Sequence, residues 1–181
     1  MTQSASTIAF SGTRTNEVAD LVTRAQSGEP QAFGVLVEGS WSELVTLARG
    51  ILASGDEAED IVQEALLHAW QRLWMLRRPE SFGAWMRRIV ARRCLSHARR
   101  RRRAEDLVDL PAGGAEPDAG LDAARLLSTL APRQRAVLYL TWVEGCTDRE
   151  AGRILGLKPS TIRVHRYRGL ERLRRTVEEQ R

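Results

Sequence analysis

Lysine is nearly missing from this chain. Lys158 is the only one, although Lys and Arg together number 28 and the formal net charge is +5. Arginine therefore carries the charge, and its planar fork suits bidentate contacts to phosphate and guanine better than an ammonium does. A pI of about 10.2 favours a polyanionic partner or an anionic membrane surface. Cysteine is scarce too. Cys94 and Cys146 show no CxxC and no Cys/His ligand spacing, which argues against a disulfide framework or a zinc site and leaves two small, reduced, core or near-core residues. The three histidines (His68, His97, His165) are scattered. No segment approaches about 18 apolar residues, and the N-terminus lacks a basic region followed by an apolar run, so no membrane span or secretory signal is expected. The expected location is cytoplasmic, without direct membrane insertion. Strand-like alternation is absent as well, so the expected fold is all-α.

What is present is most organised between Cys146 and Arg175, CTDREAGRILGLKPSTIRVHRYRGLERLRR. Thr147 and Glu150 have the S/T-x-x-E spacing of a capping box, which satisfies two orphan N–H groups at a helix start. Ala151, Ile154 and Leu155 share one side of a short helix, and Gly156 permits the left-handed conformation that ends it. Pro159 suits the first turn of a second helix, where its missing N–H has no intrahelical partner. Two helices joined by so short a turn read as a helix-turn-helix. On the second helix Ile162, Gly169 and Leu173 point one way; Ser160, Arg163, Val164, Tyr167, Arg168 and Glu171 point the other. That outward face is what a recognition helix offers a major groove. The competing reading is an amphipathic αα-hairpin with a solvated arginine face.

Residues 1–15 show no period and read as a disordered tail. Helical pattern begins at Asn16 with Val18, Leu21, Val22 and Ala25, then resumes after Pro30 with Phe33, Leu36, Val37, Trp41, Leu44 and Val45. Asp56 is the expected cap of a third helix whose inner face is Ile61, Val62, Ala65, Leu66, Ala69, Trp70 and Leu73. Its other face offers Asp60, Gln63, Glu64 and Leu67. Acids at a helix start are favoured by the dipole without any partner; Gln63, Glu64 and an exposed Leu67 look more like a docking surface. Pro79 breaks the chain and Ser81 caps a helix burying Phe82, Trp85, Met86 and Ile89. Twelve arginines and one acid, Glu80, lie between Arg72 and Arg103. With Trp70, Trp74, Phe82 and Trp85 nearby, this reads as a phosphate track with stacking platforms, or as arginines on DNA with Trp70 and Trp85 serving only as core anchors. The sign reverses over residues 104–122, which hold six acids, no base, two Pro and three Gly, as a linker does. Beyond it Leu121, Ala124, Leu127 and Leu130 mark one helix, and Pro132 opens another with Ala136, Val137, Leu140 and Val143 along it. Domains are therefore expected at 16–103 and 123–181.

Three strings in this order resemble an extracytoplasmic-function (ECF) sigma factor of bacterial RNA polymerase, over about residues 16–175. DEAEDIVQEALLHAW is similar to region 2.2, FGAWMRRIVARRCLSHARR to regions 2.3–2.4, and LSTLAPRQRAVLYLTWVEGCTDREAGRILGLKPSTIRVHRYRGLERLR to region 4. The resemblance implies a non-enzymatic promoter-specificity subunit without cofactors or metal. It implies that Asp60, Gln63, Glu64 and neighbouring Leu67 meet the clamp helices of the polymerase largest subunit. The loop about Trp74–Glu80, with Trp74, Arg77 and Arg78, matches the one that captures a flipped base of the −10 element, while Arg88, Arg92, His97 and Arg99 match the helix beside it. The acidic linker corresponds to a segment threaded toward the active-site cleft. Ser160, Thr161, Arg163, Val164, Tyr167 and Arg168 match the −35 reader, and Leu126, Leu130, Val137 and Leu138 the contact with the flap of the second-largest subunit. An anti-sigma factor is a further implied partner. Four positions depart from the pattern: Gly152 for Ala, Lys158 for a capping Ser, Arg166 for an apolar residue, and Ser96 for an Asp of the −10 helix. A stand-alone helix-turn-helix regulator would use only the last block, binding spaced half-sites as a dimer. A nuclease or recombinase would need carboxylates convergent on a metal or phosphate.

Overall fold

Helices account for every long regular element, as the missing alternation required, and no strand occurs among the described residues. The computed structural model describes residues 12–52, 57–108 and 126–179. Four helices come first: α1 (Gly12–Gln26), α2 (Pro30–Leu52), α3 (Ala58–Arg72) and α4 (Phe82–Val108), with 3-10 turns at Leu73–Met75 and Pro79–Ser81 between the last two. Helix α1 starts at Gly12, about one turn ahead of the expected start at Asn16, since nothing in Thr-Arg-Thr-Asn breaks a helix. Apolar side chains at three- and four-residue spacing close a common core around Leu44, Leu47, Ile51, Val62, Phe82 and Met86. Cys94 lies in it, and burial pushes its thiol up to about 12, so it behaves as a small hydrophobe.

Several local expectations change in the fold. Asp56 lies outside the described residues; the residue preceding α3 is Glu57, which makes no side-chain cap bond and instead sits 2.9 Å from His97 Nε2. Ser81 Oγ donates to the Arg78 carbonyl at 2.7 Å, closing the 3-10 turn ahead of α4. Trp70 is no core anchor: it is 38% exposed, its ring tilted against Phe33 at 4.9 Å. Helix α4 runs on to Val108, into the acidic segment, because Ala-Glu-Asp-Leu-Val contains no breaker ahead of Pro111.

The C-terminal elements are α5 (Pro132–Leu138), a π-helical turn (Tyr139–Val143), α6 (Asp148–Leu155) and α7 (Pro159–Glu179). Of the helix expected around Leu121–Leu130, residues 121–125 lie outside the described residues, while Leu130 is buried. Pro132 stands at the first turn of α5 as expected. The π turn was not expected. Its wider winding, with Glu144 N–H donating to the Tyr139 carbonyl at 3.1 Å, rotates Trp142 and Val143 outward. They are 62% and 63% exposed, so Val143 leaves the stripe on which Ala136, Val137 and Leu140 are buried.

Helices α5 and α6 lie against α2 and α4, and Ala136, Val137, Leu140, Ala151, Ile154, Leu155 and Ile162 join the core begun by the first four helices. The two modules are thus packed on each other across the described residues.

Candidate nucleic-acid interface

The helix-turn-helix is assembled by the residues its spacing required. Thr147 Oγ1 accepts from the Glu150 N–H at 3.3 Å, and Glu150 accepts from the Thr147 N–H at 2.9 Å. The Thr147 hydroxyl also donates to the Glu150 carboxylate at 2.7 Å, and this bond, then the one from the Thr147 N–H, holds that carboxyl below its ordinary range. Gly156 has φ +69°, and the Leu157 N–H returns to the Gly152 carbonyl at 2.9 Å. Gly152 has a second reason to be glycine: a Cβ there would stand 2.6 Å from the Leu157 carbonyl oxygen. Ile162 is fully buried under the corner. Gly169 brings α7 onto α5, its missing Cβ leaving 3.0 Å to Leu138 Cδ1. Arg166, half-buried where the resemblance implies an apolar residue, is matched by Asp148 at the first turn of α6, which both ends of its guanidinium engage.

That frame leaves the opposite face of α7 open. Ser160, Arg163, Val164, Tyr167 and Arg168 are exposed and Thr161 is half-buried beside them; Tyr167 and Val164 are 65% and 46% exposed. Farther along, Arg168, Arg172 and Arg175 line an open cleft with Gln134 of α5. Burial first, then Arg133 and Arg168, hold His165 below the usual imidazole range, the signature of a positive surface.

In the N-terminal module, Gln26 Nε2 donates to the carbonyls of Leu73 and Leu76, each at 2.9 Å. Leu73 and Leu76 are buried, so the loop is fixed while Trp74 and Met75 are turned out, 74% and 55% exposed. Arg77 and Arg78 follow, both exposed. On α4, Arg88, Arg92 and Arg99 are exposed and His97 is half-buried. These residues are not equally free. Arg88 Nε donates to the Arg153 carbonyl at 3.1 Å, and Arg92 Nη2 lies 3.1 Å from where a Cβ of Gly156 would be. His68, Arg92, Arg93, Ser96 and His97 share a shallow cleft of about 290 Å³ between α3 and α4. Burial, Arg72 and Arg93 lower the His68 pKa there.

Asp60, Gln63, Glu64 and Leu67 form one exposed strip on α3. Leu67 is 66% exposed, and Glu64 accepts from Arg93 at 2.8 Å. The apolar residues implied for the flap contact lie elsewhere. Leu130, Val137 and Leu138 are 1%, 0% and 3% exposed and pack inside the module; Leu126 is half-buried. The displayed apolar pair of that module is Trp142 and Val143, although a helical wheel with 3.6 residues per turn puts Val143 on the inside.

Comparison with known proteins agrees with this geometry. The family described as Sigma-70 region 2 matches residues 36–104, and Sigma-70, region 4 matches residues 121–173. CnrH, an RNA polymerase sigma factor of Cupriavidus metallidurans, is 34% identical over 78% of this chain and 84% of its own. "Probable RNA polymerase sigma factor RfaY" of Xanthomonas campestris pv. campestris is 32% identical over 84% of this chain, which spans 41% of that protein. The solved structure of CnrH in complex with the cytosolic domain of CnrY superposes with a TM-score of 0.66 at 27% identity, over 91% of this chain and 99% of CnrH. Two sigma regions in order, on a shared all-α fold, show that the chain belongs to the sigma-70 family, as an ECF sigma factor.

Proposed function

We propose that the chain performs the work of an ECF sigma factor through three separate faces. The α3 strip of Asp60, Gln63, Glu64 and Leu67 takes the polymerase clamp helices. The loop and helix bearing Trp74, Arg77, Arg78, Arg88, Arg92, His97 and Arg99 take the −10 element. The α7 face of Ser160, Thr161, Arg163, Val164, Tyr167 and Arg168 reads the −35 element. Bound core polymerase supplies the chemistry; the chain has none of its own and acts in the cytoplasm, where the polymerase and the promoter are. Its modules are residues 16–103 and 123–181. Extruding a base from the −10 strand costs a few kcal/mol, and the fixed, outward Trp74 is suited to recover it by stacking. A protein that binds the sigma factor, as the cytosolic domain of CnrY is found in complex with CnrH, is the expected anti-sigma partner.

The observation that carries this reading is the exposed α7 face on a helix held by a complete capping box, a left-handed glycine and a buried Ile162. Run-off transcription with core polymerase on a library of −35 variants tests it. Arg163→Ala is expected to lose discrimination at one base position by about 1–3 kcal/mol, the worth of a bidentate base contact. An equal loss on every variant makes Arg163 a phosphate contact instead. Gln63→Ala/Glu64→Ala is expected to weaken core binding, and unchanged binding would remove α3 from the docking surface.

A further inference from the structure

The stretch between α3 and α4 turns Trp74, Met75, Arg77 and Arg78 to solvent, and its shape is set from three places. Leu73 and Leu76 anchor it in the core, 2% and 8% exposed. Ser81 closes its far end on the Arg78 carbonyl, through its N–H at 2.9 Å and its hydroxyl at 2.7 Å. The near end is closed by a residue of α1. One atom, Gln26 Nε2, donates both to the Leu73 carbonyl, 47 residues away in the chain, and to the Leu76 carbonyl, 50 residues away. The Leu76 N–H donates to the same Leu73 carbonyl at 3.0 Å. Gln26 thus completes the 3-10 turn that carries Trp74 and also holds the extended residue that leaves it, Leu76 at φ −78° and ψ 97°. Its own place is fixed. Gln26 ends α1, where Gly28 turns the chain at φ +103° and Arg24 donates to Glu29 at 2.9 Å.

Few side chains could stand in for it. Both partners are acceptors, so the group between them must bring two hydrogens, as an amide NH2 does. A carboxylate of the same shape would set its charge against two carbonyl oxygens. An apolar side chain would take the donor from two part-buried acceptors, and an unmet acceptor costs more than the bond contributes. We propose that Gln26 is the positioning residue of the base-capture loop: acting without touching DNA, it sets the affinity for the captured base by holding Trp74 outward before DNA arrives. A loop ordered in advance has less freedom to lose on binding, so more of the stacking energy appears as affinity. The proposal rests on the functional reading at one point, that this loop receives a base of the −10 strand.

The test uses the full chain bound to core polymerase and a labelled fork-junction DNA, its unpaired −10 strand either intact or carrying an abasic site at each position in turn. Wild-type holoenzyme is expected to lose affinity when one position, the captured base, is abasic. Gln26→Glu keeps the shape without the donor, and Gln26→Leu supplies a good helix former. Both are expected to retain the helical circular dichroism and the affinity for core polymerase. Both are expected to bind the intact fork roughly tenfold more weakly, as a loop competent one-tenth of the time would, and to lose little more when the captured base is removed. An intact fork held as tightly by both variants as by wild type would overturn the proposal. So would weaker binding in which the abasic penalty keeps its full wild-type size, since Gln26 would then serve the fold and not the base. Failure of the functional reading looks different: wild-type holoenzyme indifferent to an abasic site at every position.

Discussion

Helices α4 and α7 have similar sequences in one respect, a dense run of arginines, and use them in opposite ways. On α4 four guanidiniums are engaged by neighbouring elements: Arg87 by Glu43 and Glu144, Arg88 by the Arg153 carbonyl, Arg93 by Glu64, and Arg101 by Glu57. On α7 Arg166 is seated on Asp148, half-buried, while Arg175 pairs with Glu171 of its own helix at 3.5 Å on the exposed side. Arg163 stands 4.0 Å from the same carboxylate with its side chain 66% exposed, and Arg168 is exposed. The difference lies in what surrounds each helix. Helix α4 is packed on α2, α3 and the C-terminal elements, so carboxylates and helix ends from neighbours reach its arginines. Helix α7 rests on α5 and α6 along one side, and the other faces solvent. Arginine content alone does not mark a DNA-binding surface; the count of protein acceptors within reach divides structural arginines from those left for a polyanion.

The sharpest way to break the α4 side is Arg87→Ala. Both Glu43 and Glu144 lose their cation while Glu144 stays largely buried. Removing one partner of a fully buried pair costs about 3–5 kcal/mol, and partial exposure brings this bridge to roughly 2–3 kcal/mol. Chemical denaturation of the full chain is expected to show that loss. A change below about 0.5 kcal/mol, ordinary for a surface residue, would class Arg87 with the solvated arginines.

The α7 side depends on how the helix is seated, and Gly152→Ala probes that seat. Helix propensity alone predicts a gain of up to about 1 kcal/mol. The contact with the Leu157 carbonyl predicts overpacking that costs about 1–3 kcal/mol, so a net loss is expected in thermal melts, together with weaker −35 discrimination. This glycine also shows what was legible in the chain. Capping box, turn glycine, Ile162 plug and the outward α7 face all follow from spacing within thirty residues, and each stands where the spacing required. The α3 strip was legible for the same reason. Contacts across the molecule were not. Nothing local marks Gly50, because the Tyr139 ring that needs it is remote in the chain. Nothing near Arg135 in the chain announces its burial, because its acceptor is the end of a distant helix. Trp142 and Val143 depended on a π turn that no period announces.

A paired comparison within α7 sharpens the contrast at smaller scale. Arg166→Ala strands Asp148, whose side chain is 24% exposed, and is expected to lower stability by about 1 kcal/mol, the ordinary worth of a charge-assisted bond at a partly exposed site. Arg168→Ala is expected to leave stability unchanged within about 0.5 kcal/mol and to reduce the salt slope of promoter binding by about 1 if it holds a phosphate. Equal effects of the two on the melt would erase the distinction between seated and displayed arginines.

The smallest effect lies in the pH response of the Arg87 bridge, and its sign is the informative part. Glu144 faces Arg87 from α4, Glu43 from α2, and Tyr139 and Cys146 from its own module. Burial raises the Glu144 carboxyl above its ordinary range, Glu43 adds to this, and Arg87 opposes it. Burial likewise raises Tyr139 and Cys146. An acid whose pKa is raised in the folded chain binds its proton more tightly there, so its contribution to stability is complete below the unfolded value and fades as pH rises through the folded one. This contact is therefore expected to lose stability from acid toward neutral pH, which chemical denaturation at stepped pH would register, and Glu144→Gln should flatten the acid part of that curve. A gain in stability over the same range would mean that the attraction of Arg87 outweighs the burial of Glu144, making the bridge a source of stability in its own right rather than a compensation for charge buried between the modules.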